Sequence, residues 1–300
     1  MWNRYQKVYL KDSFFKLVRK ILIPILLSTS FLALFFVYVP LDKVINSLSR
    51  VSLDEFFLAF FFYTASQIIR SFRWLPLMRG LSFLDIYLIN SANIFFNNVL
   101  PARTGELSWF YYAKKLGVSL KLSVWSFLLG RLFDLLALIF IALFLYTVIE
   151  KSVLTFFISL IMIFLSLFFH KVYLFLPSWG KIGNLKSYLK DNTSLRLSSL
   201  LFLCSTFSVV FKFVAIVQLL SVSSYLLSFL SFSFGELSSV LPFHSFMGYG
   251  TYEISFSIPA KFASADMKKW LVEGFIAHNF LLLSSAFYGI LSVFLLHRKN

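Results

Sequence analysis

Between Asn97 and Glu106 the chain packs two amides (Asn97, Asn98), a guanidinium (Arg103) and a carboxylate (Glu106) around the helix breakers Pro101 and Gly105, with strongly apolar sequence on both sides. Guanidinium and amide donors beside a carboxylate can hold a phosphate group and pair internally when it leaves. Arg131 and Asp134 follow, three residues apart and so on one helical face, able to neutralise each other or to meet Arg103 and Glu106. A later set has a similar form: Gly248, Gly250 and Glu253 after Pro242 and His244, then His278. The candidate substrate-binding set is therefore Asn97, Asn98, Arg103, Glu106, Arg131, Asp134, Glu253 and His278. Arg70 and Arg73, at the end of an apolar stretch, read as a lipid-headgroup interface.

These groups need an unusual setting. Of 300 residues 59% are hydrophobic and 14% charged, well below the roughly 25% charged of ordinary globular chains, and 40 are phenylalanine. Such a surface requires lipid as solvent. An ionisable residue at bilayer depth is costly unless it faces the bundle interior, a partner or water, so the charges named above are functional candidates by position. Broken backbone at that depth is tolerated only where protein covers it or it lines a cavity. The net charge of +15 comes from short basic runs beside apolar stretches, the pattern of cytoplasmic loops against anionic headgroups rather than of a nucleic-acid surface.

Taken in order, residues 1–20 are basic and expected in the cytoplasm, followed by a retained apolar helix over 21–39 and a span from Leu53 to Phe72. Asn90, Asn93 and Asn97 recur at helical spacing, which puts them on one face turned into the bundle. With Lys114, Lys115 and Lys121 beyond the break, residues 85–112 should enter and leave on the same side. Spans are expected at 123–149, 153–169, 197–220, 225–241 and 271–296, and Lys212, alone inside one of them, reads as snorkelling or paired. The expected fold is an all-α polytopic membrane protein of about eight transmembrane helices with two broken or re-entrant segments. Its divisions are a basic N-terminus (1–20), a first half (21–176), a basic cytoplasmic loop (177–196) and a second half (197–300), in the inner membrane with both termini on the cytoplasmic side. Glu106 precedes Arg131 by 25 residues and Glu253 precedes His278 by 25, which suggests an internal repeat with its two breaks facing each other.

The sequence resembles the membrane domain of the lysylphosphatidylglycerol synthase family, flippase-like integral membrane proteins, over nearly its whole length. The residues that carry the resemblance are Arg70-x-x-Arg73-Trp74, Asn97 with Pro101-x-Arg103-x-Gly105-Glu106, Arg131-x-x-Asp134, and Pro242 with Gly248-x-Gly250-x-x-Glu253. The resemblance implies a protein that moves a phospholipid or a polyprenyl-linked lipid between leaflets, its head crossing a polar groove. Two rival readings stand beside it. One is a membrane transferase with Glu106, Asp134 or Glu253 as general base and His278 as acid/base partner. The other is an accessory subunit of a glycosyltransferase system. The partners expected are a membrane lipid, and among proteins a second copy of the chain or a glycosyltransferase. The four histidines are scattered and Cys204 is the single cysteine, so no cofactor and no metal are expected.

Overall fold

The computed structural model describes residues 22, 25–222, 224–238 and 245–299, less the side chains of 101–103, 181, 182, 184 and 185. The basic segment 1–20, Pro242 and His244 lie outside that description, as does the side chain of Arg103. The described residues form helices joined by short loops, with no strand among them.

Helix α1 (Ile25–Tyr38) turns through 90° into α2 (Leu41–Leu48) at Pro40, which cannot donate a backbone hydrogen bond and so ends the first helix. Helices α3 (Leu53–Phe72) and α4 (Phe83–Val99) both start at capping boxes. Ser52 pairs reciprocally with Glu55, and Ser82 with Asp85, which fixes both helix starts. Leu100 takes an extended conformation ahead of Pro101, as a residue before proline must, and α4 stops there. A 3-10 turn (Pro101–Glu106) leads into α5 (Leu107–Lys115) and the long α6 (Leu120–Glu150). Then come α7 (Val153–Leu167) with a 3-10 extension to Phe175, α8 (Gly180–Asn192) and α9 (Leu195–Val217). The order of α4 to α6 now recurs: α10 (Tyr225–Ser238), a 3-10 turn (Phe246–Gly248), α11 (Thr251–Phe262) and the long α12 (Met267–Arg298).

Four stretches among the described residues are long and apolar enough to cross a membrane: Leu120–Glu150, Val153–Phe175, Leu195–Val217 and Met267–Arg298. Counting α1 with α2 as one bent span makes five. Their burial is inverted relative to a water-soluble bundle. On α7, Leu154, Phe157, Ile161 and Phe164 are exposed while Ser159 and Ser166 are buried. Where α3 meets α9, the Ser66 hydroxyl donates to the Ser208 carbonyl at 2.8 Å. Small polar residues at helix contacts with apolar residues outside are the arrangement lipid favours.

About eight crossings were expected, and the described residues hold four or five such spans, while two further stretches turn back. Asp85, at the start of α4, pairs with Lys299 just beyond α12, and Lys115, at the end of α5, donates to the Leu296 carbonyl at 2.9 Å. The first hairpin thus begins and ends beside the C-terminal end of α12, as its flanking lysines suggested. The second does so at the other end. Ser221, ahead of α10, donates its backbone N–H to the Glu273 carboxylate at 3.3 Å, and Phe256 of α11 lies 6.0 Å from Trp270. Helix α10 is followed to Ser238, where the description stops, so its 14 described residues are the first part of the stretch read from sequence as a span at 225–241.

The two broken segments pack against each other, and α3 packs along α9 between the halves. Gly105 makes the first break fit: a Cβ there would stand 2.2 Å from the Phe96 carbonyl carbon of α4. Backbone cannot yield as a side-chain tip can. Gly105→Ala is therefore expected to destabilise the protein by at least the ~1–3 kcal/mol of an overpacked core. Thermal unfolding of the purified protein in detergent measures it, and an unchanged midpoint would show that the hairpin has room to relax around the added methyl group.

Candidate functional site

The elements around the first break enclose a polar cavity of about 90 Å³. Helix α3 and its C-cap bring Arg70 and Arg73, α4 brings Asn90, Asn93, Asn97 and Asn98, and α6 brings Arg131 and Asp134. From the other half, α9 contributes Lys212 and α10 contributes Glu236.

Asp134 is the electrostatic centre. Its carboxylate accepts from Arg70 Nη2 at 2.6 Å and from Arg73 Nη1 at 2.5 Å and Nη2 at 3.1 Å. Arg73 Nη1 also donates to Ser205 on α9 at 2.7 Å, and the Arg73 guanidinium lies 4.4 Å over the Trp74 ring. The sequence reading placed Arg70 and Arg73 at a headgroup interface. Instead both turn inward to Asp134, and Arg73 is only 2% exposed. The reason is the partner on α6: an unpaired carboxylate at that depth costs more than burying the arginines beside it.

Arg131 donates to Glu106 Oε1 at 3.3 Å, across the 25-residue spacing. The asparagines do lie on one face, as their spacing requires, but they divide the work. Asn90 donates to Ser71 at 3.3 Å and Asn93 to the Gly105 carbonyl at 3.3 Å, which also accepts from the Ser108 hydroxyl at 2.6 Å. Asn97 donates to Asn93 at 3.1 Å and Asn98 to Ser285 of α12 at 2.7 Å.

Glu253 and His278 also meet at the repeated spacing, with His278 Nδ1 2.6 Å from Glu253 Oε1, but away from this cavity. Glu253 is fully buried and its Oε2 accepts from the Gly250 N–H at 2.7 Å, closing the first turn of α11. His278 stacks on Tyr252 with ring centroids 4.5 Å apart. The pair ties the second break to α12. Glu253→Ala is expected to cost about 1–3 kcal/mol for each of the two groups left unsatisfied. In an equilibrium unfolding series in detergent that loss should appear while headgroup affinity per folded molecule stays within twofold; a tenfold weaker affinity would put Glu253 in the binding site.

Lys212 and Glu236 form the ion pair that sequence reasoning missed. Nζ lies 2.7 Å from Oε2, and both side chains remain partly exposed, at 15% and 20%. A lone lysine in one apolar helix and a lone glutamate in another carry no spacing that links them. The only available signal was that each is the sole charge in the apolar core of its helix. At the cavity wall four cations (Arg70, Arg73, Arg131, Lys212) face two carboxylates (Asp134, Glu236), with Glu106 a third carboxylate bonded to Arg131. Arg70 Nε, Arg73 Nε and Asn97 Oδ1 are buried there with no partner among the described residues. Spare donors on guanidinium groups are suited to an anionic oxygen ligand.

A family model described as the lysylphosphatidylglycerol synthase TM region matches residues 21–266, from the first helix to the loop before α12. A search of curated proteins found no match.

Proposed function

The chain belongs to the lysylphosphatidylglycerol synthase TM-region family, multi-pass membrane proteins linked to lipid handling, and on that premise we propose that it moves the phosphate-bearing head of a membrane lipid across the bilayer through the polar cavity. The observation that carries this reading is the cluster of Arg70, Arg73, Arg131 and Lys212 around one cavity, where the buried Nε donors of Arg70 and Arg73 have no partner among the described residues. Four cations in an apolar bundle are expensive, and packing alone could be achieved with apolar residues. A phosphate would take charge-assisted hydrogen bonds from Arg70 and Arg131, with Asn97 and Asn98 beside it, while Asp134 and Glu106 hold the guanidiniums in place when it departs. Arg103, in the backbone of the first break, belongs to the same set by position. The lipid tails stay in the bilayer.

The halves 21–176 and 197–300 then form the two walls, joined by the basic loop 177–196. By the positive-inside rule the end carrying Lys114, Lys115, Lys121 and Arg298 faces the cytoplasm of an inner membrane, with both termini there. A transferase reading gains nothing from Glu253 and His278, which are buried in each other. Purified protein in liposomes with a fluorescent phospholipid in both leaflets tests the proposal. An impermeant reductant should quench the inner-leaflet dye far faster than in protein-free vesicles, and equal rates would refute transport.

A further inference from the structure

The two halves are not equally closed. Helix order makes the α4–α12 seam the counterpart of the α10–α6 seam. The first is tight: Gly289 of α12 lies so close to α4 that a Cβ would stand 2.0 Å from Phe95 Cβ, and Asn98 bonds across to Ser285. The second is open. A cleft of about 290 Å³ separates α6, α9 and α10, lined by apolar residues of all three helices. Its outer edge is Leu135, 40% exposed, in the same outward stripe of α6 as Leu128 and Ile139. Its inner end is charged: Arg70, Arg131, Asp134, Lys212 and Glu236 line both this cleft and the polar cavity. An apolar passage from the lipid-facing surface therefore ends on the charges of the headgroup site. Of those charges, the Lys212–Glu236 pair joins the two helices that flank the passage, α9 and α10.

We propose that this cleft is the lateral doorway for an anionic glycerophospholipid, with an acyl chain against Leu132, Leu135, Val209 and Leu237 and the phosphate met by Lys212, which leaves Glu236 to take it. Charge complementarity selects the occupant. The phosphate of a net-neutral or cationic head already has a cation of its own, so it offers Lys212 less for breaking its bond to Glu236 than an anionic head, whose phosphate has none. Continuity selects the direction, since the passage leads past Lys212 and Glu236 to Arg70, Arg131 and Asp134 of the polar cavity. The inference rests on the lipid-moving reading, but its test reads occupancy rather than movement.

The probe is phosphatidylglycerol carrying a diazirine on one acyl chain, photolysed in proteoliposomes of the full-length protein, with adducts mapped by mass spectrometry. Adducts are expected to concentrate on cleft residues of α6, α9 and α10, and to fall at least fivefold there in Lys212→Gln and in Leu135→Trp, which plugs the outer edge. The Lys212→Gln/Glu236→Gln variant removes the pair without stranding a charge, and the same fall is expected in it. Adducts spread evenly over the outward faces of all helices would overturn the doorway. Equal cleft labelling by a phosphatidylcholine probe, or displacement by a polyprenyl phosphate but not by unlabelled phosphatidylglycerol, would overturn the assigned occupant. Dye movement in the same vesicles separates the two claims: cleft adducts without movement uphold the doorway and sink transport, and movement without cleft adducts does the reverse.

Discussion

Asp134→Ala is expected to be strongly destabilising, toward the lower end of the ~3–5 kcal/mol that follows when one partner of a buried ion pair is removed. The cost arises from the charges left behind rather than from the hydrogen bonds that disappear. Arg70 and Arg73 both point at the Asp134 carboxylate, and Arg73 is all but inaccessible to water. Without the carboxylate, two guanidiniums face each other in a medium that screens them poorly, and Ser205 alone cannot hold Arg73. Partial exposure of Asp134, at 19%, is why the expected loss sits low in its range. Thermal and denaturant unfolding in detergent measure the loss. A triple variant, Arg70→Met, Arg73→Met and Asp134→Leu, should recover most of the stability, because an apolar set of similar volume avoids the desolvation cost, yet it should bind no anionic headgroup. If Asp134→Ala unfolded like the parent, the cluster would have to be hydrated in the native state.

That cluster also marks the limit of what could be read before folding. The first break was legible because its residues are contiguous: Asn, Pro, Arg, Gly and Glu within ten positions allow few structural meanings in an apolar chain. The asparagine face and the bounds of α3 were legible for a related reason, since helical spacing and a capping box are local signals. The 25-residue spacing was legible as a repeat, and in the structure Glu106 meets Arg131 and Glu253 meets His278 across it. It did not show that one pair borders a cavity while the other is sealed, because accessibility depends on which helices pack outside, and spacing does not contain that. Arg70 and Arg73 were assigned to the surface for want of a visible partner, which lies more than sixty residues away on α6. The pair of Lys212 and Glu236 escaped for the same reason.

Arg131→Gln is expected to separate function from stability in the opposite sense to Asp134→Ala. Its ion pair with Glu106 is longer, at 3.3 Å, and both side chains are about a quarter exposed. Such pairs contribute roughly 0–1 kcal/mol, so unfolding should shift little. Glutamine keeps hydrogen-bond donors near Glu106, which limits the disturbance further. The loss should fall on the ligand. Hydrogen bonds to charged groups are worth ~1.5–3 kcal/mol, and each 1.4 kcal/mol is a factor of ten. Anionic headgroup affinity should therefore drop roughly 10- to 100-fold, and dye movement in liposomes should slow with it whenever loading limits the rate. Arg131→Lys should recover only part of this, because a lysine offers a point charge where guanidinium offers a planar fork. The measurement is a titration of detergent-solubilised protein with short-chain phosphatidylglycerol, beside the liposome assay. If affinity and movement were unchanged in Arg131→Gln, the anion would have to bind at Arg70 and Lys212 alone, and Arg131 would be a strut for Glu106.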